Sequence, residues 1–387
     1  MKRIKKLRLC WFLLLPGLLL SAVLWENLWF LVLLLALLLL PLLFWIADRY
    51  SAGHIQLWME LPVNAGKNDP IQARLHLKSS SALPVCCLSC AVEAENLLNG
   101  GRETIRLCTS LMPREEKSLP LELKSQYCGR IQLQIRQAVL YDCFGLLPVK
   151  SPVTANAAVT VQPATFYPEL TVTADPNCPD DSETYSQLRP GYDMTETFQI
   201  RDYQEGDSIR QVHWKLSNKF DRLIIRDPSL PVTRRVLLLW ERTQAENAVP
   251  AETDAQAEVL VSLAQALLEQ AVSFYIAWNQ AETGLCVQQE VKDMEDMVGL
   301  LPQLMAARQS QNGCSGAESF LRTAGEASYS HIVYLTGDLG REALGLQQLG
   351  RVTVLLCGEQ IKCDTGAAEV RCFGPENYES ALLELAI

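Results

Sequence analysis

Val236-Leu-Leu-Leu-Trp240 opens the part of the chain whose pattern decides the fold. An unbroken apolar run suits a strand buried on both faces of a parallel sheet, where alternation disappears. Thr253 to Ala271 follows with apolar side chains at Val259, Leu260, Leu263, Leu267 and Ala271, the stripe of a core-facing helix. Val272-Ser-Phe-Tyr-Ile-Ala-Trp278, His331-Ile-Val-Tyr-Leu335 and Val352-Thr-Val-Leu-Leu356 repeat the strand pattern, with helical stretches between them. This alternation predicts an open, doubly wound α/β domain over residues 234–387.

Upstream the period changes. Ile71-Gln-Ala-Arg-Leu-His-Leu77 and Ile131-Gln-Leu-Gln-Ile135 alternate apolar and polar residues, and Asn99-Gly100-Gly101, Met112-Pro113 and Cys128-Gly129 supply turns between such runs. Residues 51–167 are therefore expected to form an antiparallel β-sandwich of immunoglobulin-like type, a spacer or binding platform. Between the two domains, residues 168–233 form a linker and a charge-dense segment. Pro176, Pro179 and Pro190, with Asp180-Asp181-Ser182, predict a long surface connection rather than a regular element.

The first 50 residues are of a third kind. The leader MKRIKKLR carries five basic side chains and no acid, and is followed by apolar Leu9–Trp25, a polar break at Glu26-Asn27, and uncharged Leu28–Ala47. A hydrocarbon core about 30 Å thick takes about 20 residues at 1.5 Å each. The second run meets that length and the first is short. Together they predict a transmembrane helical hairpin, with the basic leader and Arg49 both cytoplasmic by the positive-inside bias. Both termini and the soluble domains then lie in the cytoplasm of a two-pass protein. The rival reading is a cleaved signal peptide ending near Ser21-Ala22.

The chain has 387 residues and net charge −10, and without the leader the remainder carries −15. Phosphate binding needs clustered Lys and Arg, so nucleic acid is excluded as a main partner. The cysteines number thirteen, an odd count that fits thiols in a reducing compartment better than an exported disulfide framework. Cys86-Cys87-Leu88-Ser89-Cys90 lacks the second cysteine pair or the histidine pair of a zinc site.

Arg201-Asp-Tyr-Gln-Glu-Gly-Asp-Ser-Ile-Arg210-Gln-Val-His-Trp-Lys215 is the most distinctive run. With Ser217, and with Asp142-Cys-Phe-Gly-Leu146 and Pro163–Pro168 upstream, it resembles the bacterial and archaeal family called domain of unknown function 58. Arg201, Tyr203, Gly206, Asp207, Arg210, His213, Trp214, Lys215 and Ser217 fall on the family's pattern, whereas Asn218-Lys219 departs from its usual Ala-Arg. The resemblance implies a membrane-anchored protein with a β-domain, this signature and a von Willebrand A-like α/β domain. It also implies a MoxR-type AAA+ ATPase as partner, with a transglutaminase-like membrane protein as a further one. No reaction is attached to the family; a scaffold or adaptor role is what the likeness implies.

Read without the family, Asp207 suits a helix N-cap for Ile209 or Arg210, with Ser208 opening the helix. Asp202 and Asp207 are expected to pair Arg201 and Arg210 while Trp214 fills a core edge. The competing reading is a partner surface built from Arg201, Asp202, Tyr203, Gly206, Asp207, Arg210, His213, Trp214 and Lys215. His213 and Asp207 could make a base and its orienting acid, but no nucleophile elbow, zinc helix, Walker loop or dinucleotide fingerprint accompanies them. No enzyme and no cofactor are expected. Where a von Willebrand A domain would hold Mg²⁺, this chain has Glu241-Arg242-Thr243-Gln244-Ala245, with Asp338 in a later loop. Arg242 and Ala245 degrade that set, so a metal-free site is expected, with a metal-dependent adhesion module as the alternative function.

Overall fold

The protein is represented by a computed structural model that describes residues 2–25, 28–171, 184–204, 206–232, 236–243, 249–281, 283–310, 315–323, 329–338, 342–358 and 368–386. It forms two compact units, Met1–Gln162 and Pro163–Ile387.

The first unit begins with helices α1 (Lys2–Trp25) and α2 (Leu28–Ala52). One stretch, Trp29–Ala52, is long and apolar enough to cross a membrane; the apolar part of α1, Trp11–Leu24, is shorter. Nine strands follow: β1 (Ile55–Glu60), β2 (Asn64–Ala65), β3 (Pro70–Ser79), β4 (Val85–Asn96), β5 (Arg102–Leu111), β6 (Glu116–Lys124), β7 (Gly129–Tyr141), β8 (Val149–Ser151) and β9 (Ala155–Val161). They form one sheet in the order β1-β3-β6 and a second in the order β2-β9-β7-β4-β5, with β8 on β7. The two-residue period places Ile71, Ala73, Leu75 and Leu77 of β3 opposite Ile131, Leu133 and Ile135 of β7 in one core. Burying each such side chain contributes about 1.5–3 kcal/mol, so this face holds the register. Gly129, at φ 131°, starts β7 where a Cβ would meet Asn96 Oδ1 and the Leu98 side chain, so glycine is required there. The helices are tied to the sandwich locally: Ser151 Oγ donates to Ala52 O at 2.9 Å, and the Phe44 and Phe144 rings meet edge-on at 6.1 Å.

The second unit starts with β10 (Glu169–Thr171) and ends with its parallel partner β19 (Glu384–Ala386). β11 (Thr184–Asp202) and β12 (Ile224–Val232) then form an antiparallel hairpin whose connection carries a 3-10 turn, Ile209–Gln211, and α3 (Trp214–Phe220). This corrects the expected irregular connection. Pro190 lies within β11, where the register against β12 shifts, a position at which a ladder tolerates a missing N–H. Pro176, Pro179 and Asp180-Asp181-Ser182 lie outside the described residues.

The remaining elements are β13 (Val236–Trp240), α4 (Pro250–Glu269), β14 (Phe274–Asn279), β15 (Cys286–Val291), α5 (Met294–Leu304), α6 (Gly316–Thr323), β16 (His331–Thr336), α7 (Glu342–Leu346), β17 (Arg351–Cys357), β18 (Glu369–Phe373) and α8 (Tyr378–Ala381). The sheet order is β15-β14-β13-β16-β17-β18, parallel throughout except for β15 against β14. Strand order therefore reverses at β13, and the crevice at a doubly wound sheet's switch point falls at its carboxyl end. Every residue of β13 and β16 is buried, which explains the unbroken apolar run of β13 and the Ile332–Leu335 run of β16.

β16 carries one buried titratable group with a consequence for stability. His331 shares a 2.9 Å hydrogen bond with Thr353 Oγ1, and burial, then the charge of Arg351, pushes its imidazole from 6.5 down to about 4. The unfolded chain thus takes up the proton first, and stability is lost as pH falls from 6.5 to about 4. At 1.36 kcal/mol per pH unit the loss is roughly 3 kcal/mol. Urea denaturation of this unit across that range is expected to show it, and His331→Gln is expected to flatten the profile.

Candidate functional site

The signature lies on the β11–β12 hairpin and is organised by Arg201. Its guanidinium makes a two-pronged contact with Asp207, Nη1 to Oδ2 at 2.6 Å and Nη2 to Oδ1 at 2.8 Å, while Nε donates to Asp227 Oδ2 at 3.0 Å. Planar forks of this kind fix geometry as well as charge. Gln199 Nε2 adds a second donor to Asp227 from the same strand. Arg201 thus staples the start of the excursion, through Asp207, to the opposite strand, through Asp227. Asp207 also closes its own turn by accepting from Gln204 N at 2.8 Å, and Gly206 supplies the φ of 106° the turn needs. The Arg201 fork, followed by that N–H, holds the Asp207 carboxyl at about 2, below the usual 3.8. The clamp's contribution is complete above pH 4 and is lost as pH falls through about 2.

Three local expectations change. Asp207 is not the helix cap: Ser208 accepts from Arg210 N at 3.4 Å instead, because Arg201 engages both Asp207 oxygens. Asp202 pairs with Arg222 at 3.0 Å rather than with Arg201 or Arg210. Trp214 does not fill a core edge. It is 64% exposed at the start of α3, and Ile209 is 71% exposed. The side chain anchoring α3 is Ser217, buried, donating to His213 O and accepting from Ile224 N.

Tyr203 is bound by its backbone N–H to Leu223 O, which closes the excursion at its base. His213 caps α3: Nδ1 accepts from Leu216 N at 3.4 Å. Arg210 and Lys215 are exposed, and Lys215 and Lys219 stand one helical turn apart. The excursion therefore presents Arg210, Lys215, Lys219 and apolar side chains outward beside an exposed Asp221, while Asp202 and Asp207 are engaged by Arg222 and Arg201.

The second locus is the carboxyl end of β13. Glu241, buried, accepts at Oε1 from Thr243 N, Thr243 Oγ1 and Gly316 N, and at Oε2 from Ser315 Oγ, Ala317 N and Tyr334 OH, at 2.6–3.2 Å. Two of these donors are the opening amides of α6, where a helix offers unsatisfied N–H groups to an anion. Arg242 is 1% exposed; its guanidinium lies 4.6 Å from the Trp240 ring and Nε donates to Ala307 O, while Asn279 Oδ1 takes its backbone N–H. Asp338 is exposed and its backbone is tied to Thr336. Ala245 lies outside the described residues.

These donors do not fit a divalent cation. A cation needs carboxylate lone pairs that here are directed at six protein donors, and the neighbouring cation is built into the core. Among the described residues no group of three or more His, Cys, Asp or Glu is disposed to hold a metal. Excess Mg²⁺ or Mn²⁺ is expected to leave the thermal midpoint unchanged. A folded-state ligand at a hundred times its dissociation constant would add about 2.7 kcal/mol, so a chelator-reversible rise would overturn this reading.

The described chain is a mixed α/β protein with a β-sandwich, a signature hairpin and one candidate membrane-spanning helix. Residues 199–296 match the model of the family described as "Protein of unknown function DUF58", so the resemblance carried by Arg201–Ser217 is shown over that segment. No curated protein matches. Among solved structures, a CARDB domain from Pyrococcus furiosus in complex with di-metal ions is 20% identical, with 28% of this chain and 87% of that chain covered and a TM-score of 0.22. A cohesin module from Clostridium perfringens is 12% identical, covers 28% and 98%, and scores 0.23. Scores this low transfer neither neighbour's ligands nor its assembly to this chain.

Sequence reasoning missed Asp227, Gln199 and Arg222, the partners that organise the hairpin. Only Asp227, in Arg226-Asp-Pro228 on the run that became β12, left a local trace, and its partner is 26 residues away.

Proposed function

We propose that this chain is a membrane-anchored scaffold whose signature hairpin is a docking surface for a cytosolic protein. The observation that carries the reading is the combination of a stapled base and an outward face. Arg201 and Asp227 hold the excursion, while Ile209, Arg210, Trp214 and Lys215 are exposed. Exposed Trp and Arg on a preorganised turn are the residue types that dominate interface energetics.

The partner implied by the family resemblance is a MoxR-type AAA+ ATPase, with a transglutaminase-like membrane protein beside it in the bilayer. In this reading α1 and α2 form a two-pass hairpin, both termini and both soluble units are cytoplasmic, the sandwich is of immunoglobulin type and the last domain of von Willebrand A type. The strand order and the antiparallel edge strand β15 support the last assignment. The role is a binding one: the ring nitrogen of His213 is committed to Leu216 and Asp207 to Arg201, which favours a surface over a catalytic set.

Capture of the ATPase from detergent extract tests this. Arg210→Ala is expected to stay folded, since exposed substitutions change stability by about 0.5 kcal/mol or less. Capture is expected to weaken by about 2 kcal/mol or more, the cost of truncating one partner of a charge pair that the interface buries and hydrogen-bonds. Undiminished capture by the folded variant would refute the assignment.

A further inference from the structure

A pair of thiols lies where the sandwich meets its helices. Cys86 Sγ and Cys143 Sγ are 2.8 Å apart, and Cys143 is exposed. The strand register explains the approach. Cys87 of β4 faces Tyr141 of β7, so Cys86 and Cys143 stand one and two residues beyond that pair as both strands run out. Each belongs to a different segment, 57 positions apart in sequence.

Cys143 also belongs to the turn that grips the helices. Asp142 Oδ1 accepts from Leu146 N, the Phe144 ring packs on Phe44 of α2, and Gly145 O accepts from Arg8 Nε of α1. Asp48 and Asp142 are buried here and each has an oxygen without a hydrogen-bond partner.

We propose that Cys86 and Cys143 are a redox modification site, a dithiol–disulfide pair whose oxidation fastens the Asp142–Leu146 turn to β4. The oxidant class is a low-molecular-weight disulfide. The exposed Cys143 thiolate attacks one sulfur of the oxidant, forms a mixed disulfide and releases one thiolate. Cys86 then attacks Cys143 Sγ, forming the internal disulfide and releasing the second thiolate. Two protein thiols lose two protons and two electrons, and one small disulfide becomes two thiols.

The surroundings favour the oxidised form. Burial, the thiol neighbour and the charges of Asp48 and Asp142 push Cys86 up to about 12. A thiolate that its site does not stabilise gives a disulfide that is harder to reduce, because only a stabilised reduced form makes a strong oxidant.

The test uses the full chain in detergent with oxidised glutathione, followed by alkylation and peptide mapping. Two fewer of the thirteen cysteines are expected to alkylate, with Cys86 and Cys143 recovered as one crosslinked peptide. The thermal midpoint of the sandwich is expected to rise on oxidation, as closing a long loop constrains the unfolded chain. Cys86→Ser is expected to leave Cys143 as a mixed disulfide with glutathione and to abolish the rise. Full alkylation of both cysteines after treatment, or pairing of Cys143 with another cysteine such as Cys87 or Cys108, would overturn the proposal.

Discussion

Replacing Glu241 by Ala is expected to open the α/β unit more than any other single change at either locus. The substitution removes the acceptor of six hydrogen bonds around a buried vacancy, four of them from residues Ser315, Gly316, Ala317 and Tyr334. A buried donor left without an acceptor costs about 1–3 kcal/mol, and bonds to a charged acceptor are stronger than neutral ones. Water entering the vacancy recovers part of this, so a net loss of about 4 kcal/mol is a conservative figure. Native domains hold about 5–15 kcal/mol in total. Hydrogen exchange of peptides covering Val236–Trp240 is the appropriate readout because it reports this unit separately from the sandwich. At 1.4 kcal/mol per tenfold, opening should rise by about a thousandfold, and a rise below tenfold would show that Glu241 is not the anchor of the edge. Glu241→Gln should fall between, since an amide nitrogen placed among N–H and O–H donors satisfies only half of them.

Trp214→Ala is expected to do the opposite: little to stability and much to partner binding. At 64% exposed, the indole leaves almost no cavity when truncated, and α3 remains anchored by Ser217. Stability should stay within about 0.5 kcal/mol of parent. Aromatic anchors at interface centres commonly contribute about 2–4 kcal/mol, a loss of roughly thirty- to a thousandfold in affinity. A folded Trp214→Ala protein that captures the ATPase with parental affinity would remove the docking surface from the account. Thermal denaturation with a quantitative binding isotherm on the same preparation separates the two effects.

Much of the architecture is legible in the chain because it is written in short-range periods. The alternation at Ile71–Leu77 and Ile131–Ile135, and the strand-like runs at Val236–Trp240 and His331–Leu335, each became a strand of the expected kind. The site was less legible, because its contacts are set by register rather than by neighbours. Asp207 has the local chemistry of a helix cap, but the Arg201 fork from six residues upstream takes both its oxygens, and the facing strand enters only through Asp227. The position of Trp214 had no period to read, since α3 spans Trp214–Phe220 and makes barely two turns. Arg201 pairs with Asp227 across 26 residues, and Glu241 with Tyr334 across 93, so no window along the sequence holds both members. Pro190 misled for a related reason: proline reads as a break unless the register places it at a bulge.

The most direct measurement of the central claim is photo-crosslinking from position 214 in intact membranes. A photoreactive aromatic amino acid replacing Trp214 keeps an exposed ring on the stapled hairpin and records whatever lies against it. The account predicts a crosslink to the cytosolic AAA+ ATPase that weakens sharply when Arg210→Ala is added. Crosslinks to lipid alone, or an ATPase crosslink indifferent to Arg210, would contradict it.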